Sequence, residues 1–265
     1  MLRTVSSHQE LDLRGRTEMV FSIAVAASWP LASESIDFVL DGVPQHPTEL
    51  VDARGTRLHS LIAGPGQLVV DYAATVEATP EPAPLNAIDR VEYLRPSRYC
   101  ESDVLTPTAR SLFSTQSGHE LVQAIRDWVS HNLRYSPGMS MATDGASHSL
   151  LTRRGVCRDF AHLTIAMLRA KDVPARYAAV YAPGLSPMDF HAVAEAYVDG
   201  QWWVVDSTGL APRQSLVRIA TGRDAADVAF LTNHWADLFL QKLEITATAE
   251  ELPVDEHRSP VQLGG

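Results

Sequence analysis

The dipeptide Asp199-Gly200 stands between two apolar runs, residues 190–198 and 202–207. An Asp-Gly pair in that setting selects a two-residue hairpin turn, because both turn positions need a positive φ. With the turn placed there, Val198 pairs with Gln201 and Asp206 falls opposite Val193. His191 lies two positions from Val193, so it shares a face of the ribbon with Asp206. Diagonal neighbours on one face sit roughly 7–8 Å apart, within reach of an Asp–His hydrogen bond. A one-residue slip would send the two side chains to opposite faces. The sequence therefore predicts a His191–Asp206 couple, conditional on the turn.

A thiol precedes this hairpin. Arg154-Gly155-Val156-Cys157-Arg158-Asp159 leads into Phe160, Leu163, Met167 and Leu168, which recur at helical spacing. Cys157 thus falls at a predicted helix N-terminus, where free backbone N–H groups and the macrodipole favour an anion. The same N–H groups can donate to a developing oxyanion. A cysteine, a histidine and an aspartate in this order are the parts of a thiol nucleophile, its base and the group that orients the base. If they meet in space, the chain is an enzyme that attacks carbonyl carbon.

Bulk properties exclude several other classes. The net charge of −10 argues against nucleic acid as a partner, since phosphate binding needs a basic surface. No stretch approaches the roughly 20 apolar residues of a membrane span. Met1 to Arg16 is polar and lacks the apolar core of a secretory signal, so a cytoplasmic location is expected. Two cysteines, Cys100 and Cys157, make no disulfide framework. No spacing of Cys or His suggests a zinc site and no oxygen-rich loop suggests calcium, so neither metal nor cofactor is expected.

Along the chain, residues 17–78 read as strands. Leu68, Val70, Tyr72, Ala74 and Val76 alternate with polar neighbours, Met19 to Val25 suggests a second strand and Ile36 to Leu40 a third. Thr79-Pro80-Glu81-Pro82-Ala83-Pro84 blocks both helix and central strand. The expected organisation is a β-rich module over 1–80, a linker over 81–108, an α+β core over 109–247 and a disordered tail over 248–265. In the core, Leu121, Ile125, Trp128, Val129 and Leu133 mark one helix, Cys157 starts another that ends before Val173-Pro174, and Arg176 to Tyr181 reads as a strand.

The ordered set Gly-Val-Cys-Arg-Asp-Phe-Ala-His-Leu, Val173-Pro174-Ala175-Arg176-Tyr177, Asp189-Phe190-His191-Ala192 and Trp202-Trp203-Val204-Val205-Asp206-Ser207-Thr208 resembles the bacterial transglutaminase-like superfamily. That family includes proteins described as cysteine proteases. The segments Tyr93 to Cys100 and Ile219 to Val228 are similar to it as well, so the resemblance covers roughly residues 90–245. It implies a papain-like α+β core, often preceded by a β module of sandwich type. It also implies that Cys157 is the nucleophile, His191 the base and Asp206 the orienter. His191-Ala192-Val193 and Asp206-Ser207-Thr208 stand where many relatives carry His-Ala-Trp and Asp-Pro-Thr. Neither exchange removes a reacting group, and the first is expected to bear on the substrate or acceptor channel.

The function expected is thiol-dependent hydrolysis of a peptide or protein amide through a thioester acyl-enzyme. Amine transfer to glutamine and a non-catalytic binding module on the same fold are the alternatives. Asp159 is read as stabilising the first helical turn, His162 as packed beside the helix and Cys100 as structural. Trp202 and Trp203 are read as core, with one of them a candidate wall of the cleft.

Overall fold

The computed structural model describes residues 1–82 and 86–264. Ala83 and Pro84 of the proline-rich segment lie outside the described residues. Seven strands come first: β1 (Arg3–Leu13), β2 (Thr17–Phe21), β3 (Leu31–Leu40), β4 (Val43–Gln45), β5 (Thr48–Val51), β6 (Arg57–Ala63) and β7 (Gly66–Val76). A mixed region follows with α1 (Ala87–Glu92), α2 (Ser102–Leu112), α3 (Gly118–Asn132), β8 (Arg134–Tyr135), α4 (Ala146–Thr152), β9 (Arg154–Gly155) and α5 (Cys157–Ala170). The chain continues through β10 (Ala175–Tyr181), β11 (Phe190–Val198), β12 (Gln201–Val205), β13 (Val217–Gly222), β14 (Leu231–His234) and β15 (Leu238–Ala249).

The core is an antiparallel sheet of order β12-β11-β10-β13 packed against α5. Every residue of α5 from Asp159 to Ala170 is buried. A helix buried on all sides must be covered on all sides: β10 and β11 cover one face, and α2, α3 and α4 pack against the rest. This is the expected α+β arrangement, with a sheet-rich N-terminal region beside it.

The β module has two sheets, of order β15-β1-β7-β3-β4 and β14-β2-β6-β5. Their inner faces meet through Phe21 and Phe38, with ring centroids 5.3 Å apart, and through Phe38 and His59. Here the structure departs from the division at residue 80. The module takes β14 and β15 from the far end of the chain, and β1 pairs with β15 from Arg3↔Ala249 to Leu13↔Leu238. The segment read as a linker, 81–108, holds α1 and most of α2. Tyr93 and Cys100 within it have no exposed surface, and Arg169 donates to Arg95 O and Ser97 Oγ.

Residues beyond Ala249 are also tied down, against the expectation of a disordered tail. Asp255 accepts from Arg213 at 2.8 and 2.9 Å, with both side chains nearly buried. Val204 N–H donates to Val261 O at 2.8 Å, Arg218 Nε donates to Gly264 O at 3.1 Å, and Leu263 is buried. A segment held by ion pairs and single backbone bonds carries no hydrophobic period, so pattern reading passes over it. Among the described residues no helix is long and apolar enough to cross a membrane.

Candidate active site

The hairpin register is the expected one. Val198 pairs with Gln201 and Ala194 with Val205, and Asp199 and Gly200 take φ of 51° and 85°. Continued in register, Asp206 falls opposite Val193, and His191 stands on the same face one diagonal away. The side chains meet there: His191 Nε2 lies 3.2 Å from Asp206 Oδ2, with no exposed surface on either. The other carboxylate oxygen, Oδ1, accepts from Thr208 N–H at 2.8 Å and from Thr208 Oγ1 at 2.7 Å. Arg126 Nε donates to the Asp206 carbonyl. Asp206 is thereby held from three directions, and the imidazole it contacts has one defined orientation.

Cys157 opens α5. Val156 before it is extended, and its N–H donates to Asp159 Oδ2 at 2.7 Å. Asp159 therefore caps the helix that carries the thiol, as its position in the first turn suggested. Gly155 is required at its position, since a Cβ there would lie 2.5 Å from the Asp159 side chain. At the far side of α5, Thr164 Oγ1 and Ser207 Oγ are 2.7 Å apart, which ties the helix to the residue after Asp206.

His191 and Cys157 line one cleft of about 490 Å³. His191 Nδ1 is buried and has no hydrogen-bond partner. Burial opposes a charged imidazole at this position. The Asp206 charge and hydrogen bond, and then the Cys157 thiol, outweigh that and raise the His191 pKa to about 10. Asp206 is also desolvated, yet the His191 charge and the hydrogen bonds from His191 and Thr208 hold its carboxyl below the ordinary range. One pKa is raised and the other lowered, so both shifts favour the charged forms of the pair.

Tyr135 was not foreseen as part of this site. β8 and β9 form a two-residue parallel ladder with Tyr135 opposite Gly155, and the Tyr135 ring lies 6.0 Å from that of Phe160. Burial and the Cys157 charge together push this phenol up to about 12. A two-residue strand has no period to read, so only the three-dimensional pairing reveals it.

The remaining candidates have structural surroundings. His162 is fully buried between Tyr99 and Tyr177, with centroids 5.2 and 5.4 Å away, and its Nε2 accepts from Ala225 N–H. Burial and the nearby Arg158 and Arg169 lower its pKa well below the usual value, so it stays neutral. Cys100 is fully buried and burial pushes its thiol up. Trp202 packs against Tyr93, Tyr197 and Arg176. Trp203 lines a separate cavity behind Asp206 with His119 and Arg126, so neither tryptophan lines the Cys157 cleft. Val193 is buried away from the cleft, whereas Ala192 lines it. Among the described residues no group of three or more His, Cys, Asp or Glu could hold a metal ion.

Residues 107–207 match the Transglutaminase-like superfamily. A crystal structure of a "putative cysteine protease" from Cytophaga hutchinsonii is 32% identical over 96% of this chain and 92% of that one, with a TM-score of 0.87. The chain belongs to the transglutaminase-like superfamily. The uncharacterized Mycobacterium leprae protein ML0607 is 30% identical over 157 residues, 54% of each chain. Mycobacterium tuberculosis Rv2569c is 34% identical over 126 residues, 41% of this chain and 40% of its own length. The matches thus span about half the length of these curated relatives or less. The transglutaminase-like match ends at Ser207 and so spans α3, α5 and the β11–β12 hairpin, and includes Cys157, His191 and Asp206.

Proposed function

We propose that the protein is a thiol-dependent amide or peptide hydrolase in which Cys157 is the nucleophile, His191 the acid–base and Asp206 the orienting group. The observation that carries this reading is the buried His191–Asp206 pair, which uses Nε2 and leaves Nδ1 for Cys157 in the same cleft. The transglutaminase-like fold and the similarity to the Cytophaga protein support a thiol-dependent hydrolase in general.

The steps follow from the placement of the groups. With His191 protonated at Nδ1, the sulfur reacts as a thiolate and forms a C–S bond to the carbonyl carbon. The carbonyl oxygen becomes an oxyanion at the start of α5, where backbone N–H donors converge. Collapse breaks the C–N bond as His191 gives its Nδ1 proton to the leaving amine. Neutral His191 then takes a proton from water, hydroxide displaces sulfur from the thioester, and the thiolate–imidazolium pair returns. Asp206 keeps its negative charge throughout and favours the imidazolium.

The test is to trap the acyl-enzyme. Wild-type protein mixed with peptide esters should gain an acyl mass on the peptide containing Cys157, and hydroxylamine should remove it. Absence of an adduct at Cys157, with ester turnover still present, would contradict the assignment.

A further inference from the structure

We propose that the cleft beside Cys157 is an acyl-side specificity pocket for a large apolar group, and that the β module supplies part of its wall. This rests on the thiol-hydrolase reading and goes on to name the substrate class.

Tyr177, Phe190 and Ile219 line the cleft from the core, and Phe230, Leu231 and Leu243 from the segment that returns to the module. Two aromatic rings of the wall are neighbours, Phe190 and Phe230, with centroids 5.4 Å apart, and the buried Tyr181 backs Phe190 at 5.5 Å. The module fixes its outer half. Ser22 N–H donates to Phe230 O at 3.0 Å, and Leu231 pairs with Phe21 across β14 and β2.

The charged residues of the cleft make local hydrogen bonds, although Arg158 Nε has no partner. Arg158 donates through Nη2 to Ser140 Oγ and Met141 O, and Asp189 Oδ1 accepts from its own neighbour, Phe190 N–H. An acidic side chain entering the apolar wall would lose water, and the wall residues Tyr177, Phe190, Ile219, Phe230, Leu231 and Leu243 offer it no cation. Ligand pockets are typically about 300–1,000 Å³, mostly apolar with a few placed polar groups, and a cleft of about 490 Å³ with one reactive corner fits that description. A glutamine side chain attacked at its terminal carboxamide would bring only a short methylene stem to this space. A phenylalanine or leucine beside the scissile carbonyl would fill it and displace water.

The experiment uses acetyl-aminoacyl chloromethyl ketones bearing Phe, Leu, Gln or Asp, with iodoacetamide as a probe that needs no pocket. The Phe and Leu reagents should inactivate Cys157 at least tenfold faster than the Gln and Asp reagents. In Phe230→Ala the Phe-to-Gln rate ratio should fall at least fivefold, and in Phe230→Leu it should be largely kept. A ratio cancels any change in folded fraction. In Cys157→Ser, which has no reactive thiol, acetyl-phenylalaninamide should show stronger saturation-transfer NMR contacts than acetyl-glutaminamide. Fast iodoacetamide labelling with less than threefold preference among the four reagents would overturn the pocket and leave the nucleophile standing. Slow iodoacetamide labelling with a clear Phe preference in the NMR experiment would uphold the pocket and contradict the hydrolase reading.

Discussion

His191 Nε2 meets Asp206 Oδ2 at 3.2 Å, with both side chains sealed from solvent. The pair sets which imidazole nitrogen is free, and that nitrogen is the one in the cleft with Cys157.

The pair has a definite pH window. His191 is raised from 6.5 to about 10, so its contribution to stability is full below about 6.5 and is lost as pH rises through about 10. Asp206 is lowered from 3.8, so its contribution is present above that value and is lost as pH falls through the lowered one. The pair is therefore most stabilising between these limits, roughly pH 4 to 6.5. Nitrogen-15 NMR should show the His191 imidazole titrating well above 6.5. A midpoint at or below 6.5 would rule the ion pair out.

Asp206→Asn should keep the fold and lose most of the activity. The amide can present its hydrogen bond in the wrong sense and select the wrong tautomer. The corresponding change in a serine triad lowers kcat by about 10⁴, and a loss of the same order is expected here. Circular dichroism and kcat/KM measured together check it. Activity within tenfold of wild type would show that Asp206 does not orient the base.

Breaking the Arg213–Asp255 pair should destabilise the whole domain. Its side chains are 7% and 3% exposed, and removing one partner of a buried pair costs about 3–5 kcal/mol. Asp255→Ala is expected near the lower end, about 3 kcal/mol, because the segment lies at the surface. Urea unfolding reads the change. No shift in midpoint would mean that the residues after β15 add nothing to the fold.

Water should be the usual acceptor of the acyl group. A thioester reached by bulk solvent faces about 55 M water against millimolar amine, so transfer needs an amine held in place. Released ammonia, cleaved peptide and incorporated labelled amine should be measured in one reaction. Incorporation above the sum of the hydrolytic products at millimolar amine would reverse the assignment.

The elements legible in the sequence were those with one dominant signal. Asp199-Gly200 announced the hairpin and its register, and Gly155 with the apolar period after Cys157 announced α5. β1 was not legible, because its buried face runs Arg3, Val5, Ser7, Gln9, Leu11, Leu13 and the polar members erase the alternation. Arg3 is buried by stacking on Trp29 at 5.0 Å and by donating to Thr79 Oγ1. β15 joins the module only through pairing with β1, a partner more than two hundred residues away. Tyr135 is brought beside Gly155, and Phe230 into the cleft, through pairing outside the local sequence as well. Local pattern carries no information about such partners.

The most direct test of the triad is the pH profile of iodoacetamide alkylation at Cys157, with Cys100 in the same protein as reference. Cys100 is fully buried and its thiol is pushed up by burial. Cys157 opens a helix, where free backbone N–H groups favour an anion, and lines the same cleft as His191. Cys157 should be modified rapidly at pH 5–6 while Cys100 stays unmodified, and His191→Ala should abolish the low-pH reaction in a protein that remains folded. Equal, slow labelling of the two cysteines across pH 5–8, or a low-pH reaction unchanged in His191→Ala, would contradict the account.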